Sequence, residues 1–397
     1  MKTIREKLSR RVKELSDSVT LKINAKTKLL ESQGKEIINL SAGQPDFDTP
    51  EIVKIKAKDA IDKGYTKYTP VSGIKPLKMA VTKRYREKYG IELSDDSVLI
   101  TSGAKQAIFN IVETLSGPGD EVIIPSPYWL SYPEIVKLSF AKPVFVDTSK
   151  TKFLLTPENL KRAITEKTKL LILNSPCNPT GIVYPSSLLE EIISIIKERN
   201  IFCISDEIYD ELIYNNKKQK TMLSLVNSPL DEIIVVNGVS KAFSMTGWRL
   251  GYAIASQPII KEASKIQAHT TSCASSISQY AALSALEDAE PFIKMMRREF
   301  DERRKLVIKL FSTIEGISFP EPEGAFYLFF NINKFYNQRI KTSVEMAEYL
   351  LENWNVAVVP GAAFGDDRYL RLSYTLPIKN LEEGIRRIKN GLLDVRG

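Results

Sequence analysis

Four polar segments carry the residue types from which a reaction centre can be built. The stretch Ser240-Lys241-Ala242-Phe243-Ser244-Met245-Thr246-Gly247-Trp248-Arg249 sets a lysine among small and aromatic residues. Desolvation there would lower the amine's pKa and make it a nucleophile, whereas a lysine at the surface stays inert. Ser205-Asp206-Glu207-Ile208-Tyr209 closes an apolar run, 201–204, with a carboxylate. An aspartate in that position is costly unless a cation or hydrogen-bond donors meet it, and helix N-capping is the competing use. Asn174-Ser175-Pro176-Cys177-Asn178-Pro179-Thr180-Gly181 is a polar loop stiffened by two prolines, in which an X-Pro bond can be cis. A plain strand-to-helix loop would be as polar. Thr101-Ser102-Gly103-Ala104-Lys105-Gln106-Ala107 runs from a strand end into a helix start. Exposed N–H groups and the helix dipole there favour an anion such as phosphate, and an ordinary N-capped helix reads the same way.

Composition removes the commoner alternatives. The chain has one histidine, His269, so no HExxH helix and no site of two or three histidines can be built, and no metal is expected. A Ser-His-Asp hydrolase would depend on that single imidazole. His269 lies in the polar stretch 267–272 and reads as a structural or surface residue. Cys177, Cys203 and Cys273 form no CxxC, which favours a reducing, cytoplasmic setting. Neither GxGxxG nor GxxxxGK[ST] occurs; Gly117-Pro118-Gly119-Asp120 reads as a turn. The formal charge of +8 arises from 56 Lys+Arg and 48 Asp+Glu interspersed along the chain, as in Lys161-Arg162 followed by Glu166-Lys167. That pattern suits a solvated surface rather than a nucleic-acid stripe. No apolar run approaches the roughly 18 residues of a membrane span. Residues 1–16 lack the apolar core of a signal peptide.

The elements that must position these segments follow from periodicity. Short apolar runs at 97–101, 121–125, 143–146, 169–173, 201–205, 233–237 and 249–255 alternate with helical patterns such as 187–199. Several runs are continuously apolar, as strands covered on both faces are, and the alternation predicts a largely parallel α/β sheet. The carboxy-terminal third reads differently, as a long helix over 282–310, interrupted near Pro291, then strands at 325–331, 356–359 and 369–373. This is an α+β pattern and suggests a second, smaller domain. The four segments fall where parallel strands end, the place where open α/β sheets bind ligands.

An amine for an imine, an aspartate for a pyridine nitrogen, an arginine and a helix start for a phosphate meet the requirements of pyridoxal phosphate. In this order the segments resemble class I/II aminotransferases of fold type I. The resemblance extends to Ser41-Ala42-Gly43-Gln44-Pro45-Asp46-Phe47, Lys67-Tyr68-Thr69-Pro70, Ser126-Pro127-Tyr128-Trp129, Val359-Pro360-Gly361 and Leu370-Arg371-Leu372-Ser373. More narrowly, the chain resembles the bacterial and archaeal aspartate aminotransferases of the subgroup that includes thermophile enzymes. The resemblance implies a large cofactor-binding domain over 46–289, with 1–45 and 290–397 forming a small one. It also implies a homodimer with shared active sites, acting on amino and 2-oxo acids.

Carried onto this sequence, the resemblance gives Lys241 the imine to the cofactor and the proton shuttle, and Asp206 the pyridinium nitrogen. Asn178 and Tyr209 would bond the ring's phenolic oxygen, and Trp129 would stack on its face. Arg249, the helix start Gly103-Ala104-Lys105 and Tyr68 from the partner subunit would hold the phosphate, with Ser240 beside the imine. Arg371 would clamp the substrate α-carboxylate bidentately and Gly43 would meet it through its backbone. Lys105 and Thr20 match the subgroup's contacts to a distal carboxylate; the competing reading of Lys105 is a first-turn residue in solvent. The implied reaction is amino transfer from L-aspartate to 2-oxoglutarate by a ping-pong route. Aromatic amino acids, prephenate, alanine or kynurenine are the alternative substrates, and a lyase or an aminotransferase-like transcription regulator the alternative classes. For the regulator, the stretch before Gly43 is too short for a winged-helix module. One position departs from the pattern: Gly238 stands where many relatives carry a phosphate-binding serine.

Overall fold

Neighbouring residues of a strand point to opposite faces, and here both faces are buried. In chain order the strands are β1 (Ile38–Asn39), β2 (Val98–Thr101), β3 (Glu121–Ser126), β4 (Lys142–Asp147), β5 (Thr168–Asn174), β6 (Phe202–Asp206), β7 (Ile233–Gly238), β8 (Gly251–Ile254), β9 (Tyr327–Asn331), β10 (Val356–Ala357), β11 (Val359–Pro360) and β12 (Tyr369–Ser373). Seven of them form the main sheet, ordered β2-β8-β7-β6-β5-β3-β4. On β5, Leu170 and Ile172 pack with Ile204, Ile234 and Val236 on one face. Leu171 and Leu173 join Cys203, Ile233 and Val235 on the other. Helix Ala104–Leu115 covers the first layer with Ala107, Ile108 and Ile111. Helix Ser186–Arg199 covers the second with Leu189, Ile192 and Ile196. The α/β class expected from the alternation is the one that forms. This computed structural model of the chain describes residues 7–16, 19–215, 220–226 and 232–396.

The pairs β3–β4, β3–β5, β5–β6 and β6–β7 are parallel, and β8 runs antiparallel to both β7 and β2. The chain between β7 and β8 holds only the short turn Thr246–Trp248, too little for the crossover that parallel neighbours need. The strand expected from 249 begins instead at Gly251, because Arg249 takes a left-handed conformation, φ 53°.

The long helix expected over 282–310 is two helices, Ser276–Asp288 and Glu290–Phe311, the second with proline in its first turn, where a missing N–H is harmless. The strand expected over 356–359 also divides: β10 pairs parallel with β1, and β11 pairs antiparallel with β12. A separate apolar core gathers Ile38 and Leu40 from the amino-terminal segment with Phe300, Val307 and Phe311 of the second helix. Leu328 and Phe330 of β9, Leu370 and Leu372 of β12, and Ile385 and Ile388 of helix Ile378–Arg396 complete it. Among the described residues no helix is long and apolar enough to cross a membrane.

Candidate active site

Parallel pairing brings the carboxyl ends of β3, β5, β6 and β7 to one edge of the sheet. The antiparallel β8 delivers its beginning, and beyond it the end of β2, to the same edge. A cavity of about 920 Å³ opens there. Ala104 and Lys105 reach it after β2, Trp129 after β3, Asn178 after β5, Asp206 and Tyr209 at the end of β6, Ser240 and Lys241 after β7, and Arg249 ahead of β8. Thr20, Gly43 and Arg371 close it from the side of the second core. Two expected residues lie outside this lining. Tyr68 is 91% exposed. Gly103 instead backs onto Arg249, where a Cβ would stand 2.5 Å from a guanidinium nitrogen, and its φ of +87° also favours glycine. His269 is exposed on helix Gln257–Thr270, away from the cavity.

Electrostatics inside the cavity are dominated by desolvation. Burial, helped by Arg371 and Arg249, brings the Lys241 amine down to about 7, with Asp206 acting in the opposite sense. Its Nζ donates to the Gly43 carbonyl at 2.5 Å. Burial pushes the Asp206 carboxyl up to about 6, opposed by donors from the Tyr132 hydroxyl and the Ile208 N–H and by Lys241. Burial also lowers Lys105, and Arg249 adds to it; the ammonium sits 4.9 Å from the centre of the Trp129 ring. Arg371 is sandwiched, its guanidinium carbon 4.3 Å from the Tyr327 ring centre and 5.0 Å from that of Phe364. Its two terminal nitrogens donate to the Ser41 carbonyl at 2.8 Å and to Asn178 Oδ1 at 3.1 Å. Its Nε is buried and meets no hydrogen-bond partner among the described residues.

The departure at Gly238 has a steric reason. A Cβ there would lie 2.8 Å from Gly251 Cα and 3.0 Å from the Leu250 carbonyl, so β7 and β8 approach too closely for a side chain.

Several supporting residues were given no role from the sequence, although Asn174 and Glu207 lie within the segments it singled out. Tyr132 donates to Asp206 Oδ2 at 2.6 Å, and the hydroxyls of Tyr327 and Tyr209 lie 2.8 Å apart. Asn174 ties two segments together, donating to the Asp206 carbonyl at 2.9 Å and accepting from the Asn178 N–H at 2.8 Å. Glu207, pushed up to about 7 by burial, accepts from Ser205, Thr221 and the Met222 N–H and anchors the turn that carries Asp206 and Tyr209. The one available hint was for Tyr132, which follows Trp129 by one helical turn.

A lysine and a carboxylate between two arginines, at the carboxyl edge of a mostly parallel sheet, define a fold type I transferase. The family described as aminotransferase class I and II matches residues 35–388, and the chain belongs to it. An aspartate aminotransferase of Bacillus sp. (strain YM-2) is 41% identical over 97% of this chain and 99% of its own length. A bifunctional aspartate aminotransferase and glutamate/aspartate-prephenate aminotransferase of Petunia hybrida is 42% identical over 98% of this chain and 83% of its own. The structure of the Thermus thermophilus aspartate aminotransferase with maleate superposes with a TM-score of 0.92 at 39% identity, covering 97% of this chain and 99% of that one.

Proposed function

We propose that the chain is an aspartate aminotransferase that uses pyridoxal 5'-phosphate and converts L-aspartate and 2-oxoglutarate into oxaloacetate and L-glutamate by a ping-pong route. The observation that carries this reading is the single cavity in which Lys241, its amine brought down to about 7, shares the lining with Asp206, Arg249 and Arg371. The Bacillus relative bears the name aspartate aminotransferase.

The donors present suit that cofactor. Arg249 and the helix start at Gly103-Ala104-Lys105 offer a cation and backbone N–H groups to a phosphate, the Gly103 N–H itself being bonded to the Thr101 carbonyl at 2.8 Å, and the absent side chain of Gly103 makes room for the Arg249 guanidinium. Asp206 suits a protonated pyridine nitrogen, Asn178 and Tyr209 a phenolic oxygen, and Trp129 the ring face. Ser240, which lines the cavity beside Lys241, belongs to the same cradle. When bound, the group supplies a sink for the electron pair left as the amino acid loses its α-proton.

The chain's own residues do the rest. With its amine brought down to about 7, Lys241 Nζ would take up the proton from the substrate Cα and pass it on to the cofactor. Arg371, on the cavity wall, would meet the substrate α-carboxylate with its guanidinium, and Gly43 lets that carboxylate approach the backbone. Lys105 and Thr20, both on the cavity wall, would face the second carboxylate of aspartate. Maleate in the Thermus structure is likewise a dicarboxylate.

The reading includes a homodimer in which the exposed Tyr68 reaches the phosphate of the neighbouring site. It divides the chain into a large part, 46–289, and a small part made of 1–45 and 290–397; the second apolar core supports this, being drawn mostly from the small part, with Ile208, Tyr209, Leu212 and Tyr214 of the large part packed into it. A cytoplasmic setting accords with three cysteines in no disulfide.

An absorption spectrum before and after adding aspartate tests the proposal. A visible band of bound cofactor that moves to shorter wavelength is expected, with oxaloacetate released. Absence of a band, or a band indifferent to aspartate, would overturn it. The Petunia relative favours one second reading, prephenate as an amino acceptor, which a prephenate assay alongside 2-oxoglutarate decides. Lys105→Ala is expected to lower kcat/KM for aspartate by about 10- to 100-fold through loss of a partly desolvated charge partner, and to leave an aromatic donor nearly unchanged. Equal rates for both donors in wild type and variant would remove Lys105 from the substrate site.

A further inference from the structure

Among the buried side chains not yet given a role, that of Tyr132 touches two members of the site at once, Asp206 and Trp129. Tyr132, the second residue of helix Ser131–Leu138, is 2% exposed. Its hydroxyl donates to Asp206 Oδ2 at 2.6 Å. Its ring meets Trp129 edge to face, centroids 5.3 Å apart and planes at 83°. The Tyr132 N–H bonds back to the Trp129 carbonyl at 3.0 Å, so backbone and ring together fix the relative placement of the two aromatics. We infer that Tyr132 is a positioning residue for the cofactor ring: its hydroxyl aims and charges the Asp206 carboxylate while its ring edge sets the plane of Trp129.

The chemistry of the donor matters. A phenol is neutral and, buried next to a carboxylate, is pushed well above its ordinary range, so it stays protonated and only donates in this contact. Asp206 therefore accepts at Oδ2 from Tyr132 and at Oδ1 from the Ile208 N–H at 3.2 Å. Both contacts favour the charged form and each oxygen keeps a lone pair for a further donor. The other titratable groups facing this pair are Lys241 after β7, Cys177 in the loop after β5, and Tyr209 on the same turn. Lys241 favours the charged carboxylate, but it is itself brought down to about 7 and loses its charge above that pH. Tyr132 is then the steady support of the charge. The chain's one imidazole cannot replace it, since His269 is exposed on another helix.

The inference rests on the proposed role of Asp206, and its test separates the two. Tyr132→Phe keeps the ring against Trp129 and removes only the hydroxyl. In the full-length chain before cofactor is added, a carbon-13 NMR titration of the Asp206 carboxyl should move to higher pH in Tyr132→Phe. In the loaded enzyme kcat should fall about 10-fold or more with KM for aspartate within about twofold, and the acid limb of the kcat profile should move to higher pH. On an Asp206→Asn background the same substitution should add little further loss, because its route through the carboxylate is already closed. An unmoved carboxyl titration, or an undiminished effect of Tyr132→Phe on the Asp206→Asn background, would overturn the inference. A wild type that takes up no cofactor would instead overturn the proposed function, while the carboxyl titration would still decide the Tyr132 contact.

Discussion

Lys241→Ala is expected to lower kcat by roughly ten-thousand-fold or more, because one amine serves both as nucleophile and as proton carrier. The chain should remain folded. Borohydride treatment of the loaded wild type should fix cofactor to the peptide containing residue 241, and the variant should show no such adduct. Normal turnover in the variant would end the assignment. A second consequence follows from the amine's environment. In the unfolded chain a lysine titrates near its ordinary 10.5, whereas in the cavity Lys241 does so at about 7. Below 7 both states are protonated, and the fold bears the full cost of a charged amine among Arg249 and Arg371. Between 7 and 10.5 the unfolded state binds the extra proton, so stability rises with pH through that window. Lys241→Met, which keeps an apolar stem of similar length, should therefore make the cofactor-free protein more resistant to urea at about pH 6. The difference should close as pH approaches the ordinary lysine range. A variant less stable than wild type at about pH 6 would show that the amine is not desolvated.

Much of this site was legible in the sequence because each expected segment sits directly behind a strand. A run such as 201–204 announces its strand by composition, and the polar residue after it must emerge at the sheet's edge. Periodicity fixes such local placements, and parallel pairing then gathers them. Directions and pairings that depend on distant chain were not legible. The reversal of β8 turns on the short path between Gly238 and Gly251, and its effect is to bring Arg249 to the edge where Lys241 already lies. The division of 356–359 between two sheets depends on β1, which comes from the far end of the chain. Arg371 could be assigned only through resemblance, since nothing local distinguishes one arginine on a short strand from another. What sets it apart is the contact of its guanidinium with the Tyr327 and Phe364 rings and with Ser41 and Asn178 at its tips. Tyr132 and Tyr327 escaped for the same reason. A tyrosine in an apolar pattern reads as core, and only the fold places its hydroxyl against a carboxylate 74 residues away or another phenol 118 residues away.

Asp206→Asn is expected to show catalysis and stability moving in opposite directions, a combination that a merely structural residue would not produce. In the proposed role, loss of the negative charge at this position would deprive the cofactor's ring nitrogen of the partner that keeps it protonated. Transition-state stabilisation should fall by about 3–4 kcal/mol, or several hundredfold in kcat. KM should change less, because the proposed substrate contacts, Arg371 and Lys105, lie on other walls of the cavity. Stability follows the carboxyl's titration. Asp206 is raised from 3.8 to about 6 by burial, so between those values the folded state holds a proton that the unfolded state has released. Stability therefore falls as pH rises through that window, and the cost of the buried charge is complete above about 6. Asparagine occupies the same volume, can accept from Tyr132 and carries no charge. The cofactor-free Asp206→Asn chain should thus be more stable than wild type at neutral pH, the advantage shrinking as pH falls toward 3.8. Denaturation followed over pH, together with steady-state rates of the loaded enzyme, measures both halves. Loss of activity with loss of stability at neutral pH would mean that Asp206 serves the fold, whereas loss of activity with a gain in stability means that the carboxylate is kept in a place unfavourable to it for the sake of the cofactor.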